Sequence, residues 1–261
     1  MTEPATQPRK CPPALVVTTS WDDGHPSDLR VAELLAKYRV AGTFYIPTRN
    51  SENRPVLNRA EIAEVGTHFE LGGHTRDHVS LTAVPSHVAR EQIVANKAYL
   101  EDIWGRSVDG FAYVRGHHDE HVRRHVQEAG FSYARTTRNL ICTPGSDRYQ
   151  VPTTAQFYPH SATTVLKNFV SGGPMPRRAV LLPVALGSGE LSRRLLKMAA
   201  ICPGNGGYFH LWGHSWELDE LNLWPELSRL LHGLSQLPAT FVTNAEWSEG
   251  MRQSKIRIAA E

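Results

Sequence analysis

The sequence predicts an α/β protein whose parallel strands curl into a closed or nearly closed barrel. Three observations carry this expectation. Short apolar, β-branched runs alternate with amphipathic helical patterns along most of the 261 residues. Seven or eight such strand–helix units can be counted. No GxGxxG follows the first strand, which weakens the alternative, an open doubly wound sheet. In a barrel of this kind function gathers at the C-terminal ends of the strands.

The elements follow in order. "ALVVTTS" (14–20) reads as the first strand, and "SDLRVAELLAKYRV" as an amphipathic helix with Ser27 as N-cap. "AGTFYIP" is the next strand, followed by a helix opened by Asn58, and "FELGGH" is the third strand. A longer helix over 85–103 starts at Pro85 or Ser86. "DGFAYVRG", "SYARTT", "AVLLPVAL" and "GYFHLWGH" read as further strands and "ATFVTN" as the last, with helices near 119–129, 161–170, 190–200 and 220–235. The stretch 138–176, rich in Pro, Gly, Ser and Thr, has the weakest pattern. No low-complexity linker divides the chain, so the expected layout is an N-terminal segment 1–13, one domain over 14–250 and a tail 251–261.

Composition narrows the function. Hydrophobic residues make up 41% and charged residues 21%, as in a globular protein. A net charge of +2 without any Lys/Arg block gives no argument for nucleic acid. Three widely spaced cysteines (Cys11, Cys142, Cys202), with no CxxC, argue against a disulfide framework or a cysteine-rich zinc site. The polar, proline-rich start lacks the apolar core of a signal peptide, and no stretch reaches membrane-spanning length; the expectation is a cytoplasmic protein. The 13 histidines are more telling, because imidazole is both a metal ligand and a proton carrier near neutral pH.

Three strand ends carry the chemistry. The first is Asp22-Asp23-Gly24, the second has His74 and His78 four apart, and the third has His210 and His214 four apart. HxxxH spacing can set two imidazoles on one side of a helical turn, and one carboxylate completes a three-ligand metal face open to water. Asp23 fits as that carboxylate and Asp22 as the base beside it, the cation's charge offsetting the repulsion of the pair. Zinc is the default for this ligand set, with cobalt, nickel and iron also fitting. In the strand "GYFHLWGH", Tyr208, His210, Trp212 and His214 share one face. His210 lies about 13 Å deeper than His214 at ~3.3 Å per residue. His214 is therefore expected at the rim, aimed at the site by a turn at Gly213, and His210 buried behind the site or in the core. The order reverses if the strand ends near His210.

These residues resemble polysaccharide deacetylases of the NodB-homology type, carbohydrate esterase family 4. "TTSWDDGH" is similar to that family's T-F-D-D-G motif, with Trp21 in place of Phe, and "FELGGHTRDHVSL" to its H-[ST]-x-x-H motif. "AGTFYIP", "GFAYVRGHHDEHVRRHVQEAGFSYART" and "YFHLWGHSWEL" resemble its later segments, and the likeness spans roughly 14–247. The resemblance implies a distorted (β/α)7-type barrel and metal-dependent hydrolysis of an N- or O-linked acyl group, usually acetyl. It implies Asp22 as general base, Asp23, His74 and His78 as metal ligands, and His214 as the acid that protonates the departing amine. A tyrosine and backbone N–H groups would join the metal in holding the oxyanion.

Two departures stand out. Ala112 occupies the place of the family's motif arginine, which holds the base carboxylate, and Arg115 is the candidate to reach it from another position. The family's Trp/Asp fourth motif is not recognisable. Trp21, Tyr113, Trp212 and Trp216 are candidates to stack on a sugar ring, with the core as their other destination. The expected substrate is a small molecule or oligosaccharide carrying an acylated amino sugar; the oligomeric state stays open. A formamide or cyclic imide hydrolase on the same scaffold and a carbohydrate-binding pseudoenzyme are the competing readings.

Overall fold

The computed structural model describes residues 15–143, 145–172 and 178–250; the expected segment 1–13 and tail 251–261 lie outside the described residues. The chain runs β1 (Leu15–Asp22), α1 (Asp28–Tyr38), β2 (Thr43–Ile46), α2 (Arg59–His68), β3 (Glu70–Gly73), α3 (Ser86–Trp104), β4 (Gly110–Ala112), α4 (Glu120–Glu128) and β5 (Tyr133–Arg135). It continues through β6 (Ala155–Gln156), α5 (Ala162–Ser171), α6 (Leu182–Ala185), α7 (Leu191–Ile201), β7 (Tyr208–His214), α8 (Ser215–Glu220), α9 (Trp224–Ser235) and β8 (Ala239–Phe241).

The strands are parallel, in the order β5-β4-β3-β2-β1-β7-β6, with β8 beside the first half of β1. One stretch, 148–157, links the two ends of that order. Val151 N donates to Ala134 O and Thr136 N to Val151 O on the β5 side. Thr154 N then donates to His210 O and Phe157 N to Trp212 O on the β7 side. The sheet is thus a distorted, curled (β/α)7-type barrel. Its closing piece comes from the stretch whose sequence pattern was weakest.

Period-two alternation along β1 explains what each face carries. Val17 and Trp21 pack outward into the large apolar cluster shared with the helices. Thr18 and Ser20 point inward, where their hydroxyls meet the two nitrogens of buried His210, 2.5 Å from Nδ1 and 2.9 Å from Nε2. Asp22 continues this inward row at the C-terminal end. A smaller cluster that includes Tyr45, Tyr133, Val151 and Tyr208 completes the other side. Beneath them Glu70 is buried and fully engaged: it accepts from Tyr133 Oη at 2.5 Å, Thr43 Oγ1 at 2.8 Å and Ala245 N at 3.0 Å.

Three local expectations are corrected. "AVLLPVAL" forms a helical turn, α6, rather than a strand, because Pro183 in its first turn lacks the N–H that a ladder requires. Ser27 stands at the N-cap of α1 without capping it; its hydroxyl goes to Asp219. The helix expected near 220–235 starts only at Trp224, as α9, because the chain breaks at Asn222, φ 51°, after the separate short helix α8. Asn58, in contrast, makes a full capping box, accepting from Ala60 N and Glu61 N while Glu61 accepts from Asn58 N. Cys142 and Cys202 are unbonded thiols buried side by side.

Candidate active site

The site is assembled where β1, β3 and β7 end. β1 pairs with β7 up to Asp22, opposite His214. Asp23 then turns out of the ladder at φ 77° and Gly24 at φ 59°. A Cβ at Gly24 would sit 2.7 Å from Ile46 Cγ2, so glycine is needed there both for the turn and for the close approach. This left-handed pair explains how neighbouring carboxylates serve different purposes: Asp22 keeps the inward direction of the strand, and Asp23 swings toward β3.

His74 follows β3 directly, its N–H held by Asn96 Oδ1 at 2.8 Å from α3. His78 is brought round by an irregular loop with Thr75 at φ 68° and His78 at φ 52°, not by a helical turn. The four-residue spacing therefore works through left-handed backbone, anchored from α3: Arg76 N donates to Gln92 O and Asp77 N to Gln92 Oε1.

Ligand atoms of Asp23, His74 and His78 lie within 4.8 Å of one another, all three residues buried. His74 Nδ1 is 2.8 Å from Ala112 O and must donate to it, which leaves Nε2 with a bare lone pair. That lone pair faces Asp23 Oδ1 at 3.5 Å, and His78 Nε2 faces the same oxygen at 2.9 Å. Asp23 Oδ1 has no hydrogen-bond partner among the described residues. A buried carboxylate oxygen with two imidazole Nε2 atoms converging on it is a donor set that fits a divalent metal. Burial pushes the Asp23 carboxyl up, but the two imidazoles and His214 outweigh it and hold Asp23 far below the usual carboxylate range.

The model of the family described as "Polysaccharide deacetylase" matches residues 9–134, a span that takes in Asp22, Asp23, His74 and His78. Among solved structures, a candidate polysaccharide deacetylase from Mycobacterium smegmatis superposes with a TM-score of 0.66 at 16% identity, over 97% of this chain and 95% of that one. The chitin deacetylase of the fungal pathogen Colletotrichum lindemuthianum gives 0.60 at 15% identity, over 90% and 88%. A carbohydrate esterase domain of a multidomain xylanase from the hindgut metagenome of Trinervitermes trinervoides gives 0.59 at 14%, over 91% of each chain. A polysaccharide deacetylase from Bacillus cereus aligns over only 45% of its length. No curated protein sequence matches significantly.

The chain carries the polysaccharide deacetylase fold.

Within that deacetylase fold the remaining site residues sort themselves by contact. Arg135, at the end of β5, is fully buried and its Nη2 donates to both oxygens of Asp22. Its guanidinium lies 5.1 Å from the Tyr45 ring centre and 5.0 Å from that of Trp212. Sequence reasoning missed it. The signal was the "YART" run, which lies on a strand whose last residue points inward, but no spacing in one sequence links it to Asp22. Arg115 does not take this part: its side chain is 65% exposed, 2.7 Å from Glu52, and it stands at the mouth of the cleft.

His214, the last residue of β7, has Nε2 at 4.0 Å from Asp23 Oδ2 and Nδ1 at 3.1 Å from Glu217 Oε2. Burial opposes protonation, yet Glu217, Asp23 and Asp22 prevail and push the imidazole up to about 9. Glu217 is a second residue missed from sequence; it stands one turn beyond His214 in α8, buried, with Gln156 Nε2 at 3.4 Å from the same Oε2. His210 is fully buried beneath; burial and the nearby Arg135 charge keep it well below its ordinary value.

Of the aromatic candidates, Trp21 and Tyr113 are fully buried and out of reach of a ligand. Trp21 packs against Gly213, where a Cβ would lie 3.2 Å from its ring, so that glycine admits the indole rather than making a turn. Tyr113 Oη donates to Tyr149 O at 3.1 Å. Trp212 does line the cleft, with its Nε1 buried and without a partner among the described residues. The cleft itself holds about 450 Å³, open to solvent, with Asp22, Asp23, His74, His78 and His214 on its floor and Asn139, Gln156 and Asn168 along one wall.

Proposed function

We propose that the chain is a divalent-metal-dependent hydrolase that removes an N-linked acyl group, acetyl first among candidates, from an amino sugar or related carbohydrate. The observation that carries this is the convergence of Asp23, His74 and His78 between a buried carboxylate, Asp22, and a raised-pKa imidazole, His214. A bound zinc or similar ion would polarise the acyl carbonyl and make water at the site more acidic. Asp22, fixed by Arg135, is placed to take a proton from the attacking water. His214, kept charged by Glu217 and the carboxylates, is placed to give a proton to the departing nitrogen. The Trp212 ring, which lines the cleft, offers an apolar surface for a sugar to pack on. An aqueous cleft of about 450 Å³ suits one or two sugar units, and the likeness in fold to a chitin deacetylase supports an N-acetylated sugar.

The test is a panel of N-acetylated sugars and oligosaccharides, formamido sugars and cyclic imides, assayed with metal-loaded and chelated protein. Metal-dependent release of acetate from an N-acetyl sugar is the expected result. Turnover of only formamides or imides would move the substrate class, and saturable sugar binding with no turnover of any substrate would mark a binding protein.

A further inference from the structure

Trp216 looks at first like a sugar platform: an indole at the rim of the cleft, two residues after His214. Both of its faces are already taken. The Arg54 guanidinium lies over the ring, 3.5 Å from its centre. The His214 imidazole stacks with it at 5.2 Å and 24° between planes. Its edge is engaged too, for Trp216 Nε1 donates to Asp23 Oδ2 at 2.9 Å. Arg54 is in turn tied to α8 by Glu220 at 3.1 Å, so the three-layer stack is anchored at its outer end.

The consequence for Asp23 is directional. Oδ2 accepts from the indole, and Oδ1 is turned toward His74 and His78 and has no other partner. A carboxylate oxygen that accepts an indole N–H has one lone pair committed, which favours the unpartnered oxygen as the atom offered to a metal. The same ring restricts the His214 imidazole from one side, while Glu217 Oε2 lies 3.1 Å from its Nδ1. We propose that Trp216 is a positioning residue that sets Asp23 as a one-oxygen ligand and at the same time fixes the plane of the His214 ring. The inference rests on the metal-site reading above. It goes beyond it by coupling the metal ligand and the proton donor through one side chain that is not itself a metal ligand.

Removing a group that holds a metal ligand typically costs 10–100-fold in affinity. The experiment measures zinc affinity of the full chain by competition with a chromophoric chelator, separately from activity. The variants are Trp216→Phe, which keeps a ring but has no N–H, and Trp216→Leu, which has neither. Both should bind zinc ~10–100-fold more weakly than the wild type. At saturating zinc, Trp216→Leu should lose more kcat than Trp216→Phe, with KM little changed in both, because only the leucine variant frees the His214 ring. If neither variant folds, as judged by circular dichroism, 3-benzothienylalanine at position 216 repeats the test with sulfur in place of the N–H and the same shape. Wild-type zinc affinity in a folded variant lacking the N–H overturns the role at Asp23. Equal kcat in the two variants at saturating zinc overturns the role at His214. Failure of the wild type itself to bind zinc, cobalt, nickel or iron(II) overturns the metal site and this inference together, an outcome distinct from the previous two.

Discussion

Arg135, from the last position of β5, holds both carboxylate oxygens of Asp22, from the last inward position of β1, and both residues are buried. The two are 113 residues apart, and the barrel's curvature is what lets their side chains meet. Among the described residues Arg135 Nε and Nη1 have no partner, so Asp22 is the main compensation for a cation inside the barrel.

Breaking this pair from one side should therefore be costly. Arg135→Gln is expected to destabilise the fold by ~3–5 kcal/mol, the usual loss when a buried charge is left unpaired. Arg135→Lys should not restore wild-type behaviour, because an ammonium lacks the planar fork. In urea unfolding, Arg135→Gln combined with Asp22→Asn should lose less than the sum of the single variants. Strict additivity would show that the contact contributes little.

The adjacent carboxylates should separate by readout. Asp22→Asn is expected to keep most of its metal affinity and to lose ~10²–10⁴-fold in turnover, the scale of a general base. Asp23→Asn should lose the metal. Chelator titration of both variants against wild type decides it, and equal loss of metal would show that the two carboxylates are not divided between base and ligand.

His214 gives a pH prediction with a definite sign. Its folded value in the metal-free protein is raised to about 9, above the ~6.5 of an unfolded chain. Its charge therefore stabilises the metal-free fold fully below ~6.5, and that contribution is lost as pH rises through about 9. NMR titration of the metal-free protein should find this histidine charged at pH 7. Zinc should lower its value, because the cation neutralises Asp23. An uncharged His214 at pH 7 in the metal-free protein would remove the proposed acid.

His210 should behave in the opposite way. It is buried, with a value well below the ordinary one. The unfolded chain gains its proton first as pH falls below ~6.5, so this residue weakens the fold on acidification. His210→Ala should destabilise while leaving zinc affinity intact, since the imidazole meets Thr18 and Ser20. A folded, stable His210→Ala protein with no activity would instead assign the proton donor to the deeper histidine.

The sequence by itself determined a good deal of this protein. Alternation and length specified the strand–helix barrel, because burial faces repeat with a local period that a single sequence displays. Adjacent Asp22 and Asp23, the His74–His78 spacing and the placement of His214 over His210 were legible for the same reason: each is a short-range pattern at a strand end. Asn58 could be read as a cap from its own neighbours. What only the tertiary structure decided involves partners distant in the chain. Arg135, rather than Arg115, meets Asp22 because β5 curves round to the interior, a matter of barrel closure and not of spacing. The stretch 148–157 carries little periodicity, since it forms hydrogen bonds on both edges while its side chains follow local turns, and so its closing role was invisible. Trp21 and Tyr113 could not be told from surface aromatics: an indole or phenol suits a core and a sugar site equally, and which it meets depends on the face its strand presents. Trp216 became legible only once Arg54, His214 and Asp23, from three separate segments, were seen to close around one ring.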